Sequence, residues 1–257
     1  MRALKFIPAS IVEVTGRRFA TFFHRYVLSR TSEAYDLRVI SALQSSWSSA
    51  EYYSRHMLQA LHFEDNKEFL VHAVRQSCVK GLYLEFGVAG GATLRTIAFE
   101  AQGTAYGFDS FRGLPEDWRP GFSQGTFAQK IPSLPRNVEL IVGLFEETLP
   151  RFAVQHEGPI SFMHIDCDLY SSTKVIFDHL GDRVVPGTII AFDEYFNYTG
   201  WQHHEYKAFQ EFVQWSGVRY SYVSLVPSRH QVCIRIEAVG ADMRGASRLG
   251  VEAALGE

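Results

Sequence analysis

The sequence predicts a three-layer α/β fold, a mostly parallel sheet covered by helices on both faces. Three observations carry that expectation. From residue 82 onward, short apolar runs alternate with stretches of helical spacing, the pattern of a parallel sheet buried on both sides. The first run, Leu82-Tyr83-Leu84-Glu85-Phe86, gives way to a glycine turn, Gly87-Val88-Ala89-Gly90-Gly91, and then to the helical Ala92-Thr93-Leu94-Arg95. Strand, tight loop and helix start, in that order, open a nucleotide-type cofactor site. Three later runs end in an acid, at Asp109, Asp166 and Asp193, which gathers carboxylates at the rim where open α/β sheets bind ligands.

Length and composition agree with this. The chain has 257 residues, 46% apolar and 21% charged, enough for one sizeable domain with additions that buries its core without staples. A net charge of −3 supplies no basic field for nucleic acid. Cys78, Cys167 and Cys233 are widely spaced and form no Cys-x-x-Cys pair, which argues against a zinc site or a disulfide framework and for a reducing cytoplasm. No apolar run reaches the roughly 20 residues of a membrane span.

Residues 1–80 read mainly as helices, an N-terminal extension. Phe19, Phe22, Phe23, Tyr26 and Val27 recur at helical spacing beside Arg17, Arg18 and Arg25. Such a stripe packs on the body or on a second subunit; a membrane-surface helix is the sharper alternative. Asn66 is placed to cap a helix carrying Phe69, Leu70, Ala73 and Val74. Strands are expected over 82–86, 105–108, 138–142, 160–165 and 188–192. Helices are expected over 92–101, 146–154, 171–180 and 206–215. The second strand leads instead into a long Gly/Pro-rich loop from Ser110 through Arg112 and Trp118 past Gly125, and a loop of this length suits a lid. Segments 220–225 and 231–236 read as an antiparallel pair at the sheet's end. The tail 238–257 is rich in Gly and Ala and expected to fray.

The glycine turn also discriminates between cofactors. Gly87 is followed by Val88 and Ala89 before Gly90 and Gly91, so the Gly-x-Gly-x-x-Gly of a dinucleotide site is incomplete and a smaller cofactor without phosphates fits better. Asp109 stands about 20 residues after Gly87, where a strand-two acid grips ribose hydroxyls; otherwise it bonds loop amides. Glu85 meets the cofactor's amino group or those same amides. Asp166, Asp193 and Glu194 can form an all-oxygen site suited to magnesium or calcium, with helix caps and surface acids as the bland alternative. Trp201, His203 and His204 are candidates for substrate contact. Either histidine could also serve as ligand or base, but adjacent residues on a helix point different ways.

Four segments together resemble a known family. They are Leu84-Glu85-Phe86-Gly87-Val88-Ala89-Gly90-Gly91, Gly107-Phe108-Asp109-Ser110-Phe111-Arg112-Gly113-Leu114-Pro115, His164-Ile165-Asp166-Cys167-Asp168-Leu169-Tyr170-Ser171-Ser172-Thr173, and Pro186-Gly187 leading to Asp193-Glu194-Tyr195. In this order they resemble class I S-adenosylmethionine (SAM) methyltransferases, and within them the macrocin O-methyltransferase (TylF/MycF) family of sugar-modifying enzymes. The resemblance implies a Rossmann-like, seven-stranded, mostly parallel sheet whose last strand is antiparallel, as a domain over residues 81–237. It implies SAM on the turn, with Gly87, Gly90, Gly91 and Thr93 close to it, Glu85 beneath, and Asp109 and Ser110 on the ribose side. It implies magnesium on Asp166, Asp193 and Glu194, and Asp166 as general base. The acceptor would be a hydroxyl of a sugar or glycosylated metabolite, and the enzyme a cytoplasmic homo-oligomer. The family shows Asp-Asp-Tyr after strand five where this chain has Asp193-Glu194-Tyr195, one methylene longer. Three other readings stay open: a metal-independent SAM methyltransferase with a histidine base, an NAD-dependent oxidoreductase, and a SAM-binding protein without turnover.

Overall fold

A computed structural model describes residues 36–240. The aromatic stripe of residues 1–30 and the tail beyond residue 240 lie outside the described residues. Among the described residues eight strands form one sheet: β1 (Leu61–His62), β2 (Leu82–Phe86), β3 (Ala105–Asp109), β4 (Val138–Val142), β5 (Ile160–Ile165), β6 (Ile189–Phe192), β7 (Arg219–Leu225) and β8 (Val232–Ala238). Their spatial order is β1-β7-β8-β6-β5-β2-β3-β4, and β8 runs antiparallel to both its neighbours while every other pair is parallel.

Among the described residues six α-helices cover the sheet: α1 (Leu37–His56), α2 (Asn66–Arg75), α3 (Ala92–Glu100), α4 (Phe145–Gln155), α5 (Tyr170–Leu180) and α6 (Glu205–Ser216). Strand β6 shows why there are two cores. Ile190 and Phe192 turn to the face holding Ile176, Phe177 and Phe209 of α5 and α6, whereas Ile189 and Ala191 turn to the face holding Phe69 of α2 and Ile97 of α3. Successive strand residues point to opposite sides, so a strand buried on both faces is apolar throughout.

The sequence expectation needs three corrections. The sheet has eight strands rather than seven, because Leu61–His62 pairs with Ser224 and Leu225 of β7; two residues are too few to carry an alternating signal. The cap of α2 is Asp65, not Asn66: the Asp65 carboxylate accepts the backbone N–H groups of Lys67 and Glu68. The C-terminal pair is antiparallel as expected but is not the sheet's edge, since β1 lies outside β7; β8 adjoins β6 and runs to Ala238.

The order of strands reverses at β2, which has β3 on one side and β5 on the other. Ligands bind outside the strand ends at such a switch point. Gly87, the first residue after β2, has φ +94°, and a Cβ there would stand 1.7 Å from the carbonyl oxygen of Asp166. The glycine is therefore required by the close approach of the two strand ends, before any ligand is considered.

Candidate active site

A cavity of about 340 Å³ opens at the carboxyl ends of β2, β3 and β5. Gly87 and Ala89 form one wall, Asp109 and Ser110 another, Leu144 and Phe145 a third, and Asp166, Asp168 and Glu194 complete it. Asp109 and Asp166 thus border one space, as the sequence pattern implied.

The first two walls are held by one carboxylate. Ala89 and Phe111 both have positive φ, +47° and +55°, which a side chain disfavours. Asp109 secures both bends: Oδ2 accepts the N–H groups of Val88 (2.9 Å) and Ala89 (2.8 Å), and Oδ1 accepts that of Phe111 (2.7 Å). A carboxylate offers about four lone-pair sites, so capacity remains for a ligand hydroxyl. Helix α3 begins at Gly91, whose φ of +73° supplies no side-chain cap, leaving the first-turn N–H groups without one.

Glu85 lies beneath the cavity. It is fully buried and shares a 2.9 Å hydrogen bond through Oε1 with His164 Nδ1, while its Oε2 has no partner. Burial pushes its carboxyl upward and His164 opposes that. Glu85, Gly90, Gly91 and Thr93 do not line the cavity. Gly91 is buried against Leu134, and Gly90 is exposed.

At the ends of β5 and β6 the acids converge. His164, Asp166 and Asp193 each bring a donor atom within 4.8 Å of the others. Glu194, the expected third ligand, lines the cavity with a buried Oε2 that nothing bonds. Asp193 Oδ1 accepts from Gln231 Nε2 at 3.0 Å. Burial first, and mutual repulsion second, push the carboxyls of Asp166, Glu194 and Glu205 well above the ordinary range. Asp168, which stands at φ +64°, is raised to about 7 by burial and Asp193, with Arg119 pulling the other way.

Glu205 and His164 are the functional candidates that sequence reasoning missed. Glu205 opens α6 and is fully buried; it accepts the N–H groups of Cys167 (3.3 Å) and Asp168 (3.1 Å) on Oε1 and of Glu194 (3.2 Å) on Oε2. An acid in the first turn of a helix is an ordinary preference, which hides this role. His164 could have been found: it precedes Asp166 by two residues at the end of one strand, where period two aligns side chains.

Trp201 does not line the cavity. It is 2% exposed, packed against Tyr206 and Tyr52 at ring separations of 4.8 and 5.6 Å, and its Nε1–H donates to Ser48 Oγ at 3.1 Å. With ring and polar atom both committed, it joins α1 to the loop after β6. His203 is exposed, and His204 is partly buried against Tyr198 with its ring centroid 6.0 Å away. Burial lowers the proton affinity of the His204 imidazole, and His203 and Arg119 act in the same direction.

This strand order around this crevice is the class I methyltransferase fold. The comparisons with known proteins agree. Residues 84–195 match the family model Methyltransf_24, described as a methyltransferase domain. A curated relative from Streptomyces olivaceus, the 8-demethyl-8-(2,3-dimethoxy-alpha-L-rhamnosyl)-tetracenomycin-C 4'-O-methyltransferase, is 26% identical over 166 residues, which is 54% of this chain and 62% of that protein. The chain thus spans less than two thirds of that relative's length. Among solved structures, the calicheamicin methyltransferase CalS11 superposes with a TM-score of 0.53 at 25% identity, over 66% of this chain and 78% of that one. The O-methyltransferase NovP superposes equally well, TM-score 0.53, at 20% identity over 67% and 79%; at that identity the likeness concerns the fold. Among the described residues no helix is long and apolar enough to cross a membrane.

Proposed function

We propose that the protein is a SAM-dependent O-methyltransferase acting on a hydroxyl of a sugar or glycosylated small metabolite. The observation that carries this reading is that Asp109 and the acids Asp166, Asp168 and Glu194 border one cavity beside a side-chain-poor turn. The similarity to an enzyme named for methylating a rhamnosyl-bearing metabolite supports a sugar acceptor.

When bound, SAM supplies a methyl group made electrophilic by its sulfonium. The Gly87–Ala89 turn admits the donor's amino-acid portion, Asp109 receives a ribose hydroxyl, and Leu144 and Phe145 give a flat apolar wall for the base. These contacts would hold the donor in the same cavity as an acceptor oxygen beside Asp166. Asp166 takes the acceptor's proton; burial and neighbouring acids raise its proton affinity above that of an ordinary carboxylate.

The acids also fit a divalent cation. Five carboxylates, Asp166, Asp168, Asp193, Glu194 and Glu205, repel one another, and Glu194 Oε2 is buried and unpartnered. Oxygen donors of this kind suit magnesium, held by Asp166, Asp193 and Glu194 with His164 within reach. When bound, the ion would orient the acceptor oxygen and lower its pKa. A metal-independent reaction with a histidine base is the second reading; His204, which packs against Tyr198, is its candidate.

Calorimetry with S-adenosylhomocysteine, followed by turnover on a panel of glycosides with magnesium or EDTA, tests the proposal. Saturable binding and magnesium-dependent methylation are expected. EDTA-insensitive turnover selects the histidine reading, and absence of binding removes both. The same proposal includes a cytoplasmic homo-oligomer built as an extension (1–80), a catalytic domain (81–237) and a tail (238–257). The exposed Leu37, Leu43 and Trp47 of α1 support a subunit contact, which sedimentation would test.

A further inference from the structure

The loop between β3 and β4 carries two consecutive buried donors that nothing bonds, Trp118 Nε1 and Arg119 Nε. Among the described residues the Arg119 guanidinium makes no hydrogen bond or ion pair. Its neighbours are rings: the guanidinium carbon lies 4.1 Å from the centroid of Trp118, 4.7 Å from that of Phe122 and 5.1 Å from that of Tyr198. Rings covering a guanidinium's faces leave its planar N–H edge, the part that matches a carboxylate or phosphate two bonds at a time.

The cage adjoins the acidic end of the cavity. Tyr198 packs on Trp118 at 5.9 Å, on His230 at 5.4 Å and on His204 at 6.0 Å, and its hydroxyl donates to the Glu194 carbonyl at 3.4 Å. Arg119 is close enough to favour the charged form of Asp168 and to disfavour protonation of His204 and His230, yet it pairs with no carboxylate. Trp118 is buried and Arg119 is partly buried, and a water could satisfy either orphan donor but would bring no charge to match the guanidinium. A neutral hydroxyl would do the same.

We propose that Arg119 and Trp118 form an anchoring subsite for the acceptor, and that the acceptor carries an oxyanion, phosphate or carboxylate, away from its reacting hydroxyl. The proposal rests on the methyltransferase reading and narrows its substrate class to anionic sugars. Arg119 then sets specificity, while the acids at Asp166 and Asp193 face the hydroxyl to be methylated.

The test is calorimetry on the full chain saturated with S-adenosylhomocysteine and magnesium, using glucose 1-phosphate, glucuronate and glucose as probes. At least one anionic probe should bind on the order of tenfold more tightly than glucose, and which one does identifies the oxyanion. Arg119→Gln should abolish that preference with S-adenosylhomocysteine affinity unchanged. Arg119→Lys keeps the charge without the planar fork and should retain part of it. Trp118→Phe, which keeps the ring and removes the orphan N–H, should weaken the anionic probe in the same direction. The proposal is overturned if glucose binds as well as both anions, or if Arg119→Gln keeps the preference. A chain that takes up no S-adenosylhomocysteine in the same titration overturns the methyltransferase reading itself.

Discussion

Glu85 and His164 stand opposite each other on β2 and β5, joined by a 2.9 Å hydrogen bond between two side chains that solvent barely reaches. This pair ties β2, which leads into the glycine turn, to β5, which leads into Asp166, so two walls of the cavity share one anchor. Glu85→Ala should orphan His164 Nδ1 and destabilise the protein by about 1–3 kcal/mol from that loss alone, with the vacated volume adding to it. Glu85→Gln keeps an acceptor and should cost less. Urea denaturation of both variants checks the ranking; equal stability of Glu85→Ala and wild type would remove the pair's structural role.

Asp109 does two jobs that a single substitution separates poorly but detects well. It caps three backbone N–H groups, two of them in the turn after β2, and it borders the cavity. Asp109→Ala releases the strained Ala89 and Phe111 and removes the expected ribose contact. Affinity for S-adenosylhomocysteine should fall on the order of tenfold or more, as one or two charge-assisted hydrogen bonds would require. A titration in which this variant binds like wild type would contradict both jobs.

The central strands were legible because a strand covered on both faces is apolar almost throughout: 82–86 and 160–165 fall on the observed bounds of β2 and β5, while 138–142 falls on those of β4, a half-exposed edge strand that carries Glu139. The acids at the ends of β3, β5 and β6, Asp109, Asp166 and Asp193, were legible because each interrupts an apolar run. What the sequence could not show was convergence across long separations. Glu205 reaches Cys167 and Glu194 only because α6 packs beside α5, and Trp201 gives its N–H to Ser48 of α1. Neither fact has a local signal.

The metal-free protein should lose stability as pH rises. A carboxyl whose pKa is raised on folding binds its proton more tightly in the folded chain than in the unfolded one. It therefore costs nothing below the unfolded value, and the cost grows with pH up to the folded value, where it levels off. For Asp168 that window runs from 3.8 to about 7, and Asp166, Glu194 and Glu205 are shifted in the same direction. Thermal melting of EDTA-treated protein should be lower at about pH 8 than at about pH 5.5, and magnesium should raise it more at the higher pH. A melting temperature flat across that range, with or without magnesium, would show that the acids are relieved in some other way.

Asp166 and Glu205 are both buried acids with raised proton affinity, yet they should fail differently when changed. Asp166 faces the cavity, and its two oxygens make no hydrogen bond to a described side chain or backbone amide, so Asp166→Ala should leave the fold and cofactor affinity intact. Turnover should drop by about 10²–10⁴, the usual worth of a positioned base. Glu205 does not line the cavity; both of its oxygens hold the backbones that carry Asp168 and Glu194 in place. Glu205→Gln keeps the volume but puts an N–H donor against an N–H, so the two loops should part. Lower turnover should then come with weaker magnesium dependence and lower stability, while S-adenosylhomocysteine affinity holds because the turn after β2 is untouched. Parallel measurement of turnover, magnesium response and melting temperature separates the two cases. Full activity in Asp166→Ala would dismiss the base and metal assignments together, whereas full activity in Glu205→Gln would dismiss only the account of how the acids are held.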